Sequence, residues 1–268
     1  MTGAEEPAAD AFARHRVEVP DALASGRPEE VKRLYVHLGE DLEAAYASDV
    51  AAVPRLSYPE TADVVAGAVP SSARLVLDAG CGPDPAVATA VGRRDGVTVV
   101  ALDIGLGTVR LARSKAARDG VRLLAVVGDV ERLPFRAGVF DAVVCDDTIE
   151  HLPDDAAGMR ELRRVTSAGG RVVVATPNRW SAQVLVHRLR DLAAGRRPPR
   201  AHYYAAQSHL REYTWAGLAR LARRSGLRVV GRTTVPWSGG GKWAVASAVT
   251  RRAPGRVLSR VLVLLLEP

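Results

Sequence analysis

The chain has 268 residues, of which 47% are hydrophobic and 25% charged, a balance that suits one or two folded domains and excludes a disordered or collagen-like chain. The longest unbroken apolar run, Val261 to Leu266, falls well short of the roughly 20 residues that a membrane-spanning helix needs. Thirty-seven basic against 30 acidic residues leave a net charge of +7, with arginine at every basic position except Lys32, Lys115 and Lys242, so only a local cluster would argue for an anionic partner.

Residues 1–25 are acidic and rich in alanine, with neither the basic flank nor the apolar stretch of a signal peptide; they are expected to form a disordered tail on a cytoplasmic protein. Two cysteines, Cys81 and Cys145, cannot build a disulfide framework and fit a reducing compartment. Residues 26–71 form a helical extension, with two helices broken near Pro54 and Pro59, placed to act as a lid or a flank. Then strand and helix signals alternate. Short β-branched runs occur at Leu75 to Asp78, Val97 to Asp103, Leu123 to Val127, Ala142 to Cys145 and Arg171 to Ala175, with helix-length stretches between them. That alternation predicts a parallel, doubly wound α/β sheet. Residues 180–213 form an insertion after the fifth strand, where an open α/β sheet places its ligand crevice. A helix over Thr214 to Ser225 follows, then strands at Leu227 to Val235 and Val257 to Leu266, the last expected to close the edge of the sheet.

The segment Arg74 to Pro85 joins an apolar strand to an acid and two glycines spaced by one residue. Gly80 and Gly82 allow a tight turn with no Cβ between backbone and ligand. Asp84 is expected to cap the following helix and Pro85 to be its first residue. A dinucleotide fingerprint needs a small residue where Pro85 stands, and Asp78 would repel a diphosphate while holding an ammonium group. The ligand is therefore expected to be zwitterionic. Asp103 ends the next strand at the spacing from which a carboxylate reaches ribose hydroxyls, and Asp129 ends the third strand, where it could accept from an exocyclic amine.

In these motifs the chain resembles the S-adenosylmethionine-dependent methyltransferases of the seven-stranded Rossmann-like class. The resemblance covers residues 72–268 and rests on five segments in order: residues 77–82, 101–103, 128–135, 140–152 and 162–178. It implies a mostly parallel seven-stranded sheet and S-adenosyl-L-methionine as cofactor. Asp78 with the backbone of Gly80, Cys81 and Gly82 would then hold the methionine part, Asp103 and Ile104 the ribose, and Asp129 and the Val130 amide the adenine. Cys145 would lie beneath the sulfonium, and both cysteines would be wall residues rather than nucleophiles.

Methyl transfer is an in-line displacement, and a hydroxyl acceptor needs a base or a metal because its pKa lies far above 7. Asp147, Glu150 and His151 are spaced to share one face of a helical turn just past the fourth strand, a set that suits a divalent ion such as Mg. This spacing resembles the acid-x-x-Glu-His signature of metal-dependent O-methyltransferases of ubiquinone biosynthesis and of enzymes that methylate the terminal 2'-hydroxyl of small RNAs. Thr176-Pro177-Asn178 and His209 to Thr214 also match the RNA enzymes, which implies His209 as a further ligand, with Asp147 standing where the pattern has Glu. The blander reading is a helix cap and pocket wall without metal, and in a third reading His151 or His209 acts alone as general base.

Six arginines and one acid lie between Arg179 and Arg200, a cluster read first as a solvated helix face. His202, Tyr203 and Tyr204 are candidates for the acceptor pocket, whereas His15, His37 and His187 are read as surface or packing residues. No RNA-binding module or interleaving of aromatic and basic residues is present, so no stable nucleic-acid partner is expected. The function expected is methyl transfer to a small-molecule acceptor, to oxygen before nitrogen or carbon, on a quinone- or sugar-type substrate. A metal-free amine or carbon methyltransferase, an RNA or lipid-headgroup methyltransferase and a cofactor-binding protein without catalysis stay open.

Overall fold

The computed structural model describes residues 27–53, 59–195, 209–236 and 258–268. The described residues open with α1 (Pro28–Tyr46) and α2 (Pro59–Ala68), then alternate β1 (Leu75–Ala79), α3 (Ala86–Gly92), β2 (Thr98–Asp103), α4 (Leu106–Arg118) and β3 (Leu124–Val127). After β4 (Phe140–Asp146) come a 3-10 turn (Ile149–His151), α5 (Asp155–Val165), β5 (Thr166–Pro177), α6 (Ala182–Ala193), α7 (Trp215–Arg224), β6 (Arg228–Val235) and β7 (Val261–Glu267). The seven strands lie in the order β3-β2-β1-β4-β5-β7-β6. All pairings are parallel except those of β7 with β5 and β6. No described helix is long and apolar enough to cross a membrane.

Alternate side chains of the central strands bury on opposite faces, which is why these strands read as continuous apolar runs. Val76 and Val144 join a layer with Val87, Val91 and Ala112, while their neighbours Leu77 and Val143 join one with Phe140, Met159 and Leu162. Side-chain oxygens of Asp154, Ser181 and Thr214 accept from backbone amides to open α5, α6 and α7.

Two expectations need correction. The last strand does not close the sheet: β7 sits between β5 and β6, and the edge falls to β6, whose Arg228, Arg232 and Thr233 are exposed. The run ValLeuValLeuLeuLeu suits a strand covered on both faces, and the more polar β6 suits an edge. The glycine loop also runs one residue further than expected. Helix α3 opens at Ala86 with Pro85 in the cap position and no side-chain cap, and Asp84 instead lies 3.8 Å from the Lys115 ammonium.

Helix α1 crosses α4 at a contact that needs glycine on both sides. A Cβ at Gly107 would overlap the Gly39 carbonyl, and one at Gly39 would press on Thr108. Leu42 and Tyr46 then pack on Leu111 and Val53. The N-terminal half of α1 thereby extends over the carboxyl ends of β1 and β2.

Candidate active site

The carboxyl ends of β1, β2 and β4 surround a cavity of about 180 Å³, roofed by Lys32, Tyr35, Leu38 and Leu42 of α1. A larger, more open hollow of about 630 Å³ at the β3 edge is lined by Arg113, Arg122 and apolar or backbone groups and has no acid to offer. The chemistry lies in the smaller one. Its walls include Gly80, Gly82, Asp103, Ile104, Asp129, Val130, Asp147 and His151, so most of the expected cofactor residues meet there.

The glycine loop is shaped for close approach. Gly80 and Gly82 have φ of 85° and 62°, in the left-handed region. A side chain at Gly80 would collide with Thr148, whereas one at Gly82 would point into open space. Asp103 braces this loop from β2: Oδ2 accepts from the Gly82 amide and Oδ1 from the Gly105 amide, each at 3.1 Å. Thr148 donates to the Gly80 carbonyl at 3.1 Å, tying the turn after β4 to the same loop.

Three expected contacts sit elsewhere than the cavity wall. Asp78 is buried beneath the loop, where its carboxyl accepts from the Ala88 amide; burial, with Asp103 adding repulsion, pushes its pKa up to about 7. Cys81 packs into one core layer and Cys145 into the other. Burial first, then nearby carboxylates, push both thiols well above their ordinary range, so neither is poised as a nucleophile.

Acids gather at the ends of β1 and β4. Asp146 is raised well above its ordinary pKa by burial and then by Asp147, Asp78 and Glu150. Asp147, held at φ 44°, is pushed up by burial to about 7, against the pull of Arg260. These groups resist ionising together, and a cation entering between them would relieve the repulsion. That electrostatic setting fits a ligand carrying a sulfonium and an ammonium and disfavours a diphosphate.

Past the end of β4, Glu150, His151 and His209 bring their ligating atoms within 4.8 Å of one another. Glu150 is wholly buried; its Oε2 accepts from Thr176 at 2.9 Å, and its Oε1 has no hydrogen-bond partner among the described residues. Burial and then Asp147 push its pKa well up. His209 comes from the far end of the insertion and is stapled into place. The Leu210 amide donates to the Glu150 carbonyl at 3.0 Å, Arg211 donates to the Leu152 and Pro153 carbonyls, and Tyr213 donates to Asp155 at 2.6 Å. Asp147 stands outside this triad and faces the cavity. The expected helical turn is a 3-10 turn that begins only at Ile149, which separates Asp147 from Glu150 and His151.

The donor set of two imidazoles and a buried carboxylate fits a borderline divalent ion such as Fe, Co or Zn better than Mg, which prefers oxygen ligands and retained waters. Lys32 and Tyr35 were not singled out from the sequence, although Lys32, Tyr35, Leu38 and Leu42 follow helical spacing along one stripe of α1. His202, Tyr203, Tyr204, His15 and the cluster members Arg196, Arg197 and Arg200 lie outside the described residues. Of the cluster within them, Arg188 lies over the half-exposed Trp180 ring. His37 is on the surface beside Glu40.

A methyltransferase domain family model matches residues 77–174, from β1 into β5. A demethylmenaquinone methyltransferase of Mycolicibacterium vanbaalenii is 37% identical over 171 residues, spanning 60% of this chain and 69% of the relative. A ubiquinone biosynthesis O-methyltransferase of Xanthomonas axonopodis pv. citri is 37% identical over 114 residues, 42% of this chain and 46% of the relative. Among solved structures, an S-adenosylmethionine dependent methyltransferase from Mesorhizobium loti matches with a TM-score of 0.55 at 17% identity, covering 79% of this chain and 99% of its own. The [4+2]-cyclase SpnF matches with a TM-score of 0.55 at 19% identity, covering 78% and 80%. These two likenesses concern the fold, which evidently hosts more than one reaction. The likeness to the Mycolicibacterium methyltransferase, most of whose length is matched, decides the matter: the chain belongs to the S-adenosylmethionine-dependent methyltransferases.

Proposed function

We propose that the chain transfers a methyl group from S-adenosylmethionine to a hydroxyl oxygen of a small quinol- or sugar-type acceptor. The observation that carries this reading is the convergence of Glu150, His151 and His209 at 4.8 Å or less beside the cofactor cavity. An amine acceptor asks for little beyond alignment, whereas a hydroxyl asks for help in losing its proton. A buried carboxylate and two imidazoles supply that help. The curated relatives, named for demethylmenaquinone methylation and ubiquinone O-methylation, favour an acceptor of the quinone type.

In this reading Gly80, Gly82, Asp103, Ile104, Asp129 and Val130 hold the cofactor at the cavity wall, while Asp78 supports the loop from below. His151, Glu150 and His209 handle the acceptor proton, and Thr176 fixes the orientation of Glu150. The unpartnered Glu150 Oε1 favours a divalent ion held by Glu150, His151 and His209, which when bound would lower the pKa of the acceptor hydroxyl.

The purified chain is to be offered S-adenosylmethionine with a panel of quinols, catechols, sugars and amines, and the products located by mass spectrometry and NMR. A methyl ether is the expected product. Methylation confined to nitrogen or carbon would retire the hydroxyl reading and leave the cofactor assignment standing.

A further inference from the structure

Helix α1 lies before the stretch matched by the family model, yet it touches both ends of the site. The Lys32 ammonium lies 2.7 Å from Asp129 Oδ2 and 2.6 Å from Glu131 Oε2. Three residues on, the Tyr35 hydroxyl lies 2.6 Å from His151 Nδ1. The i, i+3 spacing puts both on one face of the helix. One turn of the roof therefore engages an acid of the cofactor wall and an imidazole of the acceptor side.

The ring of His151 is bracketed. It meets the Tyr35 ring edge to face, with centroids 5.5 Å apart and planes at 70°, and meets His209 in the same manner at 4.8 Å and 70°. An imidazole held at one nitrogen has its tautomer and ring orientation set by that bond. In the tautomer where Nδ1–H donates to the phenol oxygen, the lone pair lies on Nε2, and Nε2 is then the nitrogen through which His151 takes an acceptor proton or meets an ion.

We propose that Tyr35 is a positioning residue for His151: with α1 down on the cavity, its hydroxyl fixes the imidazole tautomer and directs Nε2 to the reacting side. Lys32 holds the same turn in register through Asp129 and Glu131. The acceptor half of the site is then complete only when the roof is docked. This inference rests on the methyl-transfer reading and deepens it, but its primary measurement needs no turnover.

The full chain is labelled with 15N at histidine, the His151 ring signals are assigned with His151→Asn, and spectra are taken with S-adenosylhomocysteine bound. Tyr35→Phe, which keeps the ring and removes the hydroxyl, is expected to move both His151 ring nitrogens toward a mixed-tautomer pattern with little change in S-adenosylhomocysteine affinity. Lys32→Met, which releases the same turn without touching the hydroxyl, is expected to move them in the same direction. With an accepted substrate, Tyr35→Phe should lower kcat about tenfold and leave KM nearly unchanged, the scale of a lost orienting partner. Ring signals that stay in place in both variants would overturn the proposal, as would a Tyr35→Phe defect confined to KM or cofactor affinity. If the wild-type chain methylates none of the offered acceptors, the functional reading fails separately, and the ring signals still decide the role of Tyr35.

Discussion

Asp103 at the end of β2 accepts a hydrogen bond from the Gly82 amide in the loop after β1, at 3.1 Å. Burial raises the pKa of this carboxyl, and the Gly105, Gly82 and Ile104 amides pull it back. The acid proposed to meet the ribose is therefore also a strut of the loop proposed to meet the methionine part. Asp103→Ala should weaken S-adenosylhomocysteine binding, measured by calorimetry, by about tenfold or more, because a charge-assisted bond of roughly 1.5–3 kcal/mol is lost. Asp103→Asn should weaken it less. Affinity unchanged in both would remove Asp103 from the cofactor site.

The buried Asp78 carboxyl makes the empty protein sensitive to pH. Its pKa is pushed up to about 7 in the folded chain and lies near the ordinary carboxylate range when unfolded. Between those limits the folded state binds more protons, so its stability falls as pH rises toward 7. Asp147 and Glu212, also raised to about 7 by burial, act in the same direction. Thermal melts from about pH 5 to pH 8 should show a smaller decline in Asp78→Asn than in the wild type, since the amide imitates the protonated acid. Parallel curves would mean that Asp78 is ionised in the fold.

The crossing of α1 and α4 leaves no room for a methyl group at Gly107. Gly107→Ala should lift the roof from the cavity and destabilise the chain by roughly 1–3 kcal/mol through overpacking. Gly120, where an added Cβ meets nothing, lies at the other end of α4 but has φ 76°, so it is no neutral control. Gly67→Ala, which also meets nothing and lies within α2, serves instead. Denaturant melts should show the loss at position 107 and little change at 67. Equal stability of the two variants would mean that α1 is not packed as described.

The triad of Glu150, His151 and His209 should take up a borderline ion. Co(II) added to metal-free protein is expected to raise the melting temperature of the wild type, by the linkage of ligand binding to folding, and to leave His209→Ala and Glu150→Gln unmoved. An equal shift in all three proteins would place the ion elsewhere and assign the triad to proton handling alone.

The strand-end acids were legible because each is fixed by its immediate neighbours: an apolar run ends, an acid follows, and the backbone turns. Asp103, Asp129, Gly80 and Gly82 accordingly fell on the cavity wall. Cys81, Cys145 and Asp78 follow the same local pattern, yet strand alternation turns Asp78 and Cys145 into the protein and the glycine loop turns Cys81 inward, a direction that spacing alone does not set. Lys32 and Tyr35 were invisible for a different reason. Their partners lie 97 and 116 residues away, a distance that no local period encodes. One signal was present in the composition. In a chain that almost always uses arginine, Lys32 and Lys115 are only 18% and 15% exposed at the side chain and each faces an acid, where the compact ammonium fits. The order of β6 and β7 was misread, although the apolar run Val261 to Leu266 suits a strand inside the sheet.

The insertion between β5 and α7 leaves and rejoins the fold at one point. Asn178 bridges to Tyr213, the Arg179 amide donates to the Tyr213 carbonyl at 2.9 Å, and the Asn178 amide donates to the Arg260 carbonyl at 2.9 Å. A segment cinched at its neck can be lengthened, shortened or exchanged with little strain on the sheet, since doubling a loop costs only about 0.6 kcal/mol in closure entropy. On the proposed reading the insertion chooses the acceptor while the cofactor is held elsewhere: grafting a different stretch between residues 180 and 208, which leaves His209 and its anchors in place, should redirect which molecule is modified while the donor half stays as it is.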